Sequence, residues 1–259
     1  EGSEASVKAL QQKSLRDFFA RNYRPNRSII AVVGDVSEQE IAKALNGAFR
    51  AWAKGEPSGQ APVPAKVGES KVLRINKDLT QANIVLGHNG VARGNPDYYA
   101  LQVMNYVLGG GGFSSRAMDS IRNERGLAYS VYSYFAAEKS HGAFEFIMQT
   151  KNETALEAIR IATEEMRRMR EQPVTEQELS DAKDYLIGSF PLRFDTNRKV
   201  AGFLSQVEYF ELGLDYPDRY ADLIRKVTRD EVHRAAKQYL QPERLIMVIV
   251  GNLKKIGEK

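Results

Sequence analysis

Arg122 and Tyr129 stand seven positions apart, the first at the end of a helix-like stretch and the second in the strand-like run that follows Gly126. A turn at Gly126 can bring a planar cationic fork and a phenol hydroxyl toward the same cleft, and both groups are strong hydrogen-bond donors. Just upstream lie four consecutive glycines, Gly109, Gly110, Gly111 and Gly112, and then Phe113. No Lys follows them at the spacing of a phosphate-binding loop, so they read as a helix stop followed by a mobile loop. Metal chemistry has little to draw on. The three histidines, His88, His141 and His233, are far apart, and none has a second His at ligand spacing. Each reads as an ordinary strand, turn or helix residue. The absence of cysteine excludes disulfides, thiol nucleophiles and Cys-ligated zinc. Glu124 and Arg125 read as a solvated ion pair that helps shape the turn. Counting in twos along the strand puts Tyr132 and Tyr134 on one face and Tyr129 on the other, with the first two as packing residues.

The elements that must position these residues follow from periodicity. Lys71 to Ile75 and Ala82 to His88 read as strands, the second alternating through Ile84 and Leu86. A helix is predicted from Asp97 to Leu108, with Tyr98, Leu101, Met104, Val107 and Leu108 at helical spacing and Gly109 as its stop. A short helix from Ser114 to about Asn123 turns Ala117, Met118 and Ile121 inward, and Gly126 breaks it. Leu127 to Phe135 alternates as a strand and pairs with Ala143 to Thr150 across a turn at Ser140, His141 and Gly142. Long helices follow at Glu153 to Glu171 and from Glu176 onward. Thr175 with Glu178, and Thr228 with Glu231, make capping boxes. Runs of antiparallel strands followed by helices that cover one face argue for an α+β domain.

Composition narrows the classes. With 259 residues, 42% of them hydrophobic and 27% charged, the chain is long enough for a substantial core. The net charge of +4 comes from basic residues scattered among acidic ones, which reads as a solvated surface and not as a nucleic-acid face. No apolar run approaches the roughly 20 residues of a membrane span, and Glu1 to Val7 lacks the features of a targeting signal. Zero cysteines suit a reducing or an oxidising compartment equally, so localisation is left open.

An internal repeat organises the chain. Pro25, Arg27, Ile29, Val33 and Gly34 recur 217 residues later as Pro242, Arg244, Ile246, Val250 and Gly251. In each copy an amphipathic helix precedes the match, carrying Leu15, Phe18, Phe19 and Tyr23 in one and Val232, Ala235, Ala236 and Leu240 in the other, and each copy reads as helix, turn, strand, glycine. A stretch rich in Pro, Gly and Ser separates the two copies. The expected division is residues 1–54 as the end of a first lobe, 55–70 as a linker and 71–259 as a second lobe. In the second copy 160 residues of the same domain precede the helix, but only about 14 precede it in the first. The first lobe therefore reads as truncated.

The run Asn105-Tyr-Val-Leu-Gly-Gly-Gly-Gly-Phe-Ser-Ser-Arg116, continued by Ile121-Arg-Asn-Glu-Arg-Gly-Leu-Ala-Tyr129, resembles the pitrilysin or insulinase-type (inverzincin) zinc metallopeptidases, whose relatives include mitochondrial processing peptidase. Tyr23-Arg-Pro-Asn-Arg27, Val33-Gly-Asp-Val36, Asp97-Tyr-Tyr-Ala100 and Tyr185-Leu-Ile-Gly-Ser189 support it. The resemblance implies a duplicated metallopeptidase lobe, two α+β halves closing around a peptide or unfolded protein. Zinc in the complete enzyme is held on the first half through H-x-x-E-H, a motif this sequence does not contain. The chain is thus expected to be the C-terminal, non-zinc-binding portion of a metalloendopeptidase, inactive alone and without bound metal. Its zinc lobe would lie upstream in the same chain or in a partner, as part of a homo- or heterodimer. On this resemblance Arg122 and Tyr129 hold the substrate carbonyl and stabilise the oxyanion that forms as zinc-bound hydroxide attacks. Gly109 to Gly112 and Phe113 would form a flexible lip against the substrate backbone. The alternative is a naturally inactive partner or scaffold subunit of the same fold.

Overall fold

The computed structural model describes residues 2–56 and 68–257. Most of the expected linker, at 57–67, lies outside them. Along the chain, helices α1 (Glu4–Lys8), α2 (Gln12–Asn22) and α3 (Glu38–Phe49) come first. Strands β1 (Lys71–Asn76) and β2 (Gln81–Asn89), helix α4 (Tyr98–Asn105), and strands β3 (Ala128–Ala137) and β4 (Gly142–Lys151) follow. Next are helices α5 (Ala155–Glu171), α6 (Glu176–Gly188), α7 (Asn197–Tyr209), α8 (Tyr216–Arg225) and α9 (Arg229–Tyr239), then strand β5 (Ile246–Gly251) and a last turn α10 (Leu253–Ile256). They fall into two units, Glu1–Ala61 with Pro191–Leu214, and Pro62–Phe190 with Asp215–Lys259.

The second unit is an α+β layer pair. Its five-stranded sheet has the order β1-β5-β2-β4-β3. β5 runs antiparallel to β2 but parallel to β1, so the sheet is mixed, where sequence reading expected it to be antiparallel. Hairpin logic sets direction only for neighbours such as β3 and β4; β5 returns after five helices and its direction follows from that crossover. Period-two alternation decides what each strand buries. Phe144, Phe146, Met148 and Thr150 of β4, with Ile84 and Leu86 of β2 and Val131 and Phe135 of β3, form the inward face. Against it lie Leu101 and Met104 of α4, Ile161, Met166 and Met169 of α5, and Ala235 and Ala236 of α9. A fully buried Phe such as Phe144 contributes about 1.5–3 kcal/mol by burial, and truncating it to Ala costs about 3–5 kcal/mol. Both expected capping boxes form. The Thr175 hydroxyl accepts from the Glu178 amide and Thr228 does the same for Glu231, fixing where α6 and α9 begin.

The helix through Tyr98 does not stop at Gly109. Beyond Asn105 it widens into a π-helical turn, Tyr106–Gly110, and then a 3₁₀ turn, Gly112–Ser114. Packing accounts for this. A Cβ on Gly109 would sit 2.5 Å from Ser133 Oγ and 2.8 Å from the Ser133 backbone nitrogen, so the missing side chain lets the helix end lie directly on β3. Asn105 fastens the contact, donating from Nδ2 to Ser133 O at 3.0 Å and accepting from Ser133 Oγ at 2.8 Å. The glycines are therefore part of a docked helix end, not a free loop, and only Gly112 adopts a positive φ, +57°.

In the first unit, α2 ends in a stacked Phe19–Tyr23 pair, and the 3₁₀ turn Pro25–Arg27 is strapped to the chain beyond α3. Asn26 exchanges hydrogen bonds with Gly55, Arg27 donates to Glu56 O, and Trp52 Nε1 donates to Tyr23 O. No residue between 2 and 56 is buried. The strand expected after this turn does not form: residues 28–33 run without a ladder, leaving Ile29, Ile30 and Val32 exposed. A strand is stable only when paired, and among the described residues no strand pairs with this one.

Candidate functional site

The segment from Phe113 to Tyr129 places the residues of interest through three local devices. Ser115 Oγ donates to Gly112 O at 2.7 Å, closing the turn that presents Phe113. A π-helical stretch, Met118–Asn123, then buries Met118 and Ile121 and leaves Arg122 half-exposed in its last turn. Gly126, at φ +61°, reverses the chain into β3. Arg125 Nη1 donates to Ser120 O at 2.6 Å and caps that helix end, while pairing with Glu124 at 2.7 Å on the surface, as the sequence suggested.

Arg122 lies between two aromatic rings. Its guanidinium carbon is 4.8 Å from the Phe113 ring centre and 5.1 Å from that of Tyr129, and Nη1 donates to Met118 Sδ at 3.9 Å. Phe113 is 71% and Tyr129 76% exposed, so the cluster opens to solvent. Among the described residues no carboxylate pairs with Arg122 and no group accepts from the Tyr129 hydroxyl. Cation–π contacts of this kind hold a guanidinium in place without using its in-plane N–H donors; apart from Nη1, which is bonded to Met118 Sδ, these stay open to an incoming acceptor. The structure thus brings Phe113, Arg122 and Tyr129 together, while Gly109 packs on Ser133 and Gly110 on Asn105 in the docked helix end.

The alternation expected to set Tyr129 against Tyr132 and Tyr134 is broken by a β-bulge. The β3–β4 register slips between Ala128 and Ser130, so Tyr129 is an extra residue and alternation cannot be counted across it. Tyr132 is 43% exposed and Tyr134 half-buried, while Val131, Ser133 and Phe135 face the core. Tyr132 and Tyr134 are therefore open-face residues and not core packing. The Tyr134 hydroxyl donates to Glu145 Oε2 at 2.7 Å, and this bond to a carboxylate, with burial, pushes its pKa up to about 12.

None of the histidines fits a metal. His88 is 4% exposed and stacks on Phe144; its Nδ1 meets Asn89 O at 2.8 Å and its Nε2 accepts from the Gln241 amide at 3.2 Å, so both nitrogens are spent. His141 meets Ser140 and His233 meets Arg170 O. Among the described residues no three His, Cys, Asp or Glu side chains are grouped to hold an ion.

A family model described as the peptidase M16 inactive domain matches residues 9–186. The chain belongs to this family. Among curated relatives, the non-peptidase homolog YmxG of Helicobacter pylori is 29% identical over 98% of this chain and 59% of its own length. An uncharacterized zinc protease of Streptomyces coelicolor is 28% identical over 98% of this chain and 56% of its own. This M16 chain therefore spans less than two thirds of the relatives it matches. The crystal structure of a peptidase M16 inactive domain from Pseudomonas fluorescens superposes with a TM-score of 0.88 at 28% identity, covering 97% of this chain and 60% of that one. A chain of Complex III2 from Candida albicans shares the fold alone, at a TM-score of 0.79 and 14% identity. The pitrilysin-type resemblance and the α+β lobe are both borne out, and the M16 chain carries no zinc motif.

Proposed function

We propose that this M16 lobe is the non-zinc-binding part of a metalloendopeptidase acting on peptides or unfolded proteins. It presents Arg122 and Tyr129 to a substrate carbonyl whose hydrolysis takes place on a zinc-carrying lobe. The observation that carries the reading is the open Phe113–Arg122–Tyr129 cluster, in which a cation and a phenol are held side by side with unspent donors. Such donors stabilise the negative charge that grows on a carbonyl oxygen as it becomes tetrahedral. Gly110, Gly111 and Gly112, which precede Phe113 and are not buried, supply a surface that a peptide backbone can approach closely, and Gly109 backs them from its buried seat on β3.

In this reading residues 1–54 end the zinc-carrying lobe, 55–70 link the two and 71–259 are the second lobe. The zinc-carrying lobe lies in the same chain or in a partner. What supports the division is the repeat together with the exposed Ile29, Ile30 and Val32. A second reading, a naturally inactive partner or scaffold subunit, is favoured by the relative named as a non-peptidase homolog. The two separate on kinetics of the complete two-lobe protein with a quenched peptide. Tyr129→Phe keeps the ring over Arg122 and removes one donor, so turnover should fall about 100- to 1000-fold with little change in KM. Arg122→Lys, which loses the planar fork, should also fall sharply. Near-normal turnover in both variants removes the pair from the mechanism, and a wild-type protein without hydrolytic activity supports the scaffold.

A further inference from the structure

The residues from Gly112 to Leu127 carry the candidate site on unusually weak local structure. A 3₁₀ turn and a π-helical stretch have poorer hydrogen-bond geometry than an α-helix, so their own ladders do not fix where Arg122 points. Orientation has to come from anchors to neighbouring elements. Three are apolar, the buried Ala117, Met118 and Ile121. At the far end Thr150 Oγ1 donates to Leu127 O. The remaining anchor is ionic: Arg116 grips Glu178 with both arms of its fork, Nε to Oε1 at 2.6 Å and Nη2 to Oε2 at 2.7 Å.

Glu178 is itself held. Its Oε2 also accepts from the Thr175 amide at 2.7 Å in the capping box that begins α6, so the carboxylate cannot swing without unwinding a helix start. Burial would raise the Glu178 pKa, but bonds from Arg116 and Thr175 outweigh it and hold the group below its ordinary value. The Arg116 side chain is only 13% exposed. The pair itself lines a polar pocket of about 510 Å³, together with Arg125, Arg160, Glu164 and Arg168 among others. Arg116 precedes Arg122 by six residues in the same short helical run, and a shift of the first is passed to the second.

We propose that Arg116, through Glu178, is a positioning residue for the Phe113–Arg122–Tyr129 cluster. It clamps the segment to the start of α6 so that the Arg122 guanidinium stays between its two rings. The proposal deepens the functional reading above and rests on it only for its kinetic consequence. A misplacement of about 1 Å at a reacting group costs up to about 100-fold in rate. Arg116→Met and Arg116→Lys should therefore lower kcat of the complete protein by about 10- to 100-fold, Met more than Lys, with little change in KM.

A merely stabilising role is separated by the double variant Arg116→Met with Glu178→Gln, which removes both charges but keeps a side-chain oxygen to accept from the Thr175 amide. Removing both partners of an ion pair avoids stranding one buried charge, which is the costly part of breaking the pair. The double variant should therefore recover most of the melting temperature lost in Arg116→Met yet keep the low kcat. Recovery of kcat along with stability overturns the proposal. So does wild-type kcat in a folded Arg116→Lys variant when Arg122→Lys in the same series is impaired.

If Arg122→Lys is itself unimpaired, the functional reading has failed, and positioning is then decided without activity. In chain labelled with ¹⁵N-arginine, the Arg122 Nε–H resonance feels the ring currents of Phe113 and Tyr129. Arg116→Lys should shift or broaden it, whereas Arg168→Lys, across the same cavity, should not. An Arg122 resonance unmoved by Arg116→Lys overturns the proposal.

Discussion

Replacing Asp97 by Asn keeps the side chain's shape and removes its charge at the place where α4 is fastened to α9. Asp97 receives both arms of Arg234, Nη2 to Oδ1 at 2.6 Å and Nη1 to Oδ2 at 2.8 Å, and the Tyr239 hydroxyl at 3.0 Å. The carboxylate is 11% exposed and the guanidinium 52%. In the variant an amide NH₂ faces an arginine N–H, so one charge-assisted bond is lost outright, at about 1.5–3 kcal/mol. The half-exposed Arg234 rehydrates and returns part of that loss, unlike a fully buried partner, whose stranding costs about 3–5 kcal/mol. The expected net cost is about 2 kcal/mol, or roughly 4–8 °C in melting temperature for a unit of this size. The pH dependence follows in sign. The hydrogen bond from Arg234 holds the Asp97 pKa below its ordinary 3.8, so its contribution is present in full above that value and lost as pH falls below it. Denaturant unfolding of both proteins at pH 7 and in steps down through the acid range tests this. The gap should be widest at neutral pH and narrow as the wild-type carboxylate protonates. A gap under about 0.5 kcal/mol at pH 7, or one constant to the lowest pH, refutes the reasoning.

His88 should give a second acid-sensitive step: burial lowers its pKa below 6.5, and its Nε2 can accept from Gln241 only when neutral. Stability should therefore be intact above pH 6.5 and fall as pH drops below it. In His88→Gln the slope between pH 7 and pH 5 should disappear, and an unchanged slope counts against it. Gly109→Ala should destabilise by about 1–3 kcal/mol through its clash with Ser133, whereas Gly202→Ala, in open space inside α7, should gain up to about 1 kcal/mol. Equal effects in chemical denaturation would remove the close-approach argument. Amides of residues 28–36 should exchange far faster than those of β5, and equal protection in a strict monomer would show that the first copy of the repeat is paired after all.

The second unit was legible because its signals are local and strong. Alternation through Phe144, Phe146 and Met148, and the Thr175/Glu178 and Thr228/Glu231 boxes, each name an element and one of its ends within a few residues. What escaped depends on contacts between distant parts. Nothing local to Gly109 distinguishes a helix stop from a close approach to Ser133, because glycine serves both. The bulge at Tyr129 is set by the β3–β4 register, and a single extra residue overturns every parity count made across it. The Arg122–Tyr129 pairing was foreseeable from a glycine reversal seven residues long, but the Phe113 ring on the other side of the guanidinium was not. Arg116 and Glu178 are 62 residues apart, and no periodicity links them.

The repeat acts as an internal control on how much local sequence can decide. Both copies form the amphipathic helix, α2 and α9, and both follow it with a 3₁₀ turn begun by proline, Pro25–Arg27 and Pro242–Arg244. These are short-range structures whose bonds close within four residues, so the same local sequence yields them in either context. The copies part at the next step. Ile246–Gly251 enters the sheet between β1 and β2 and buries Ile249, whereas residues 28–33 carry a matching Ile and Val but have no neighbouring strand among the described residues. A strand's hydrogen bonds are supplied by other segments, so an apolar run specifies the capacity to be a strand and not the strand itself. The exposed Ile29, Ile30 and Val32 therefore record a pairing capacity, and a sheet offering one parallel and one antiparallel edge, as β1 and β2 do for β5, is the geometry that would complete it.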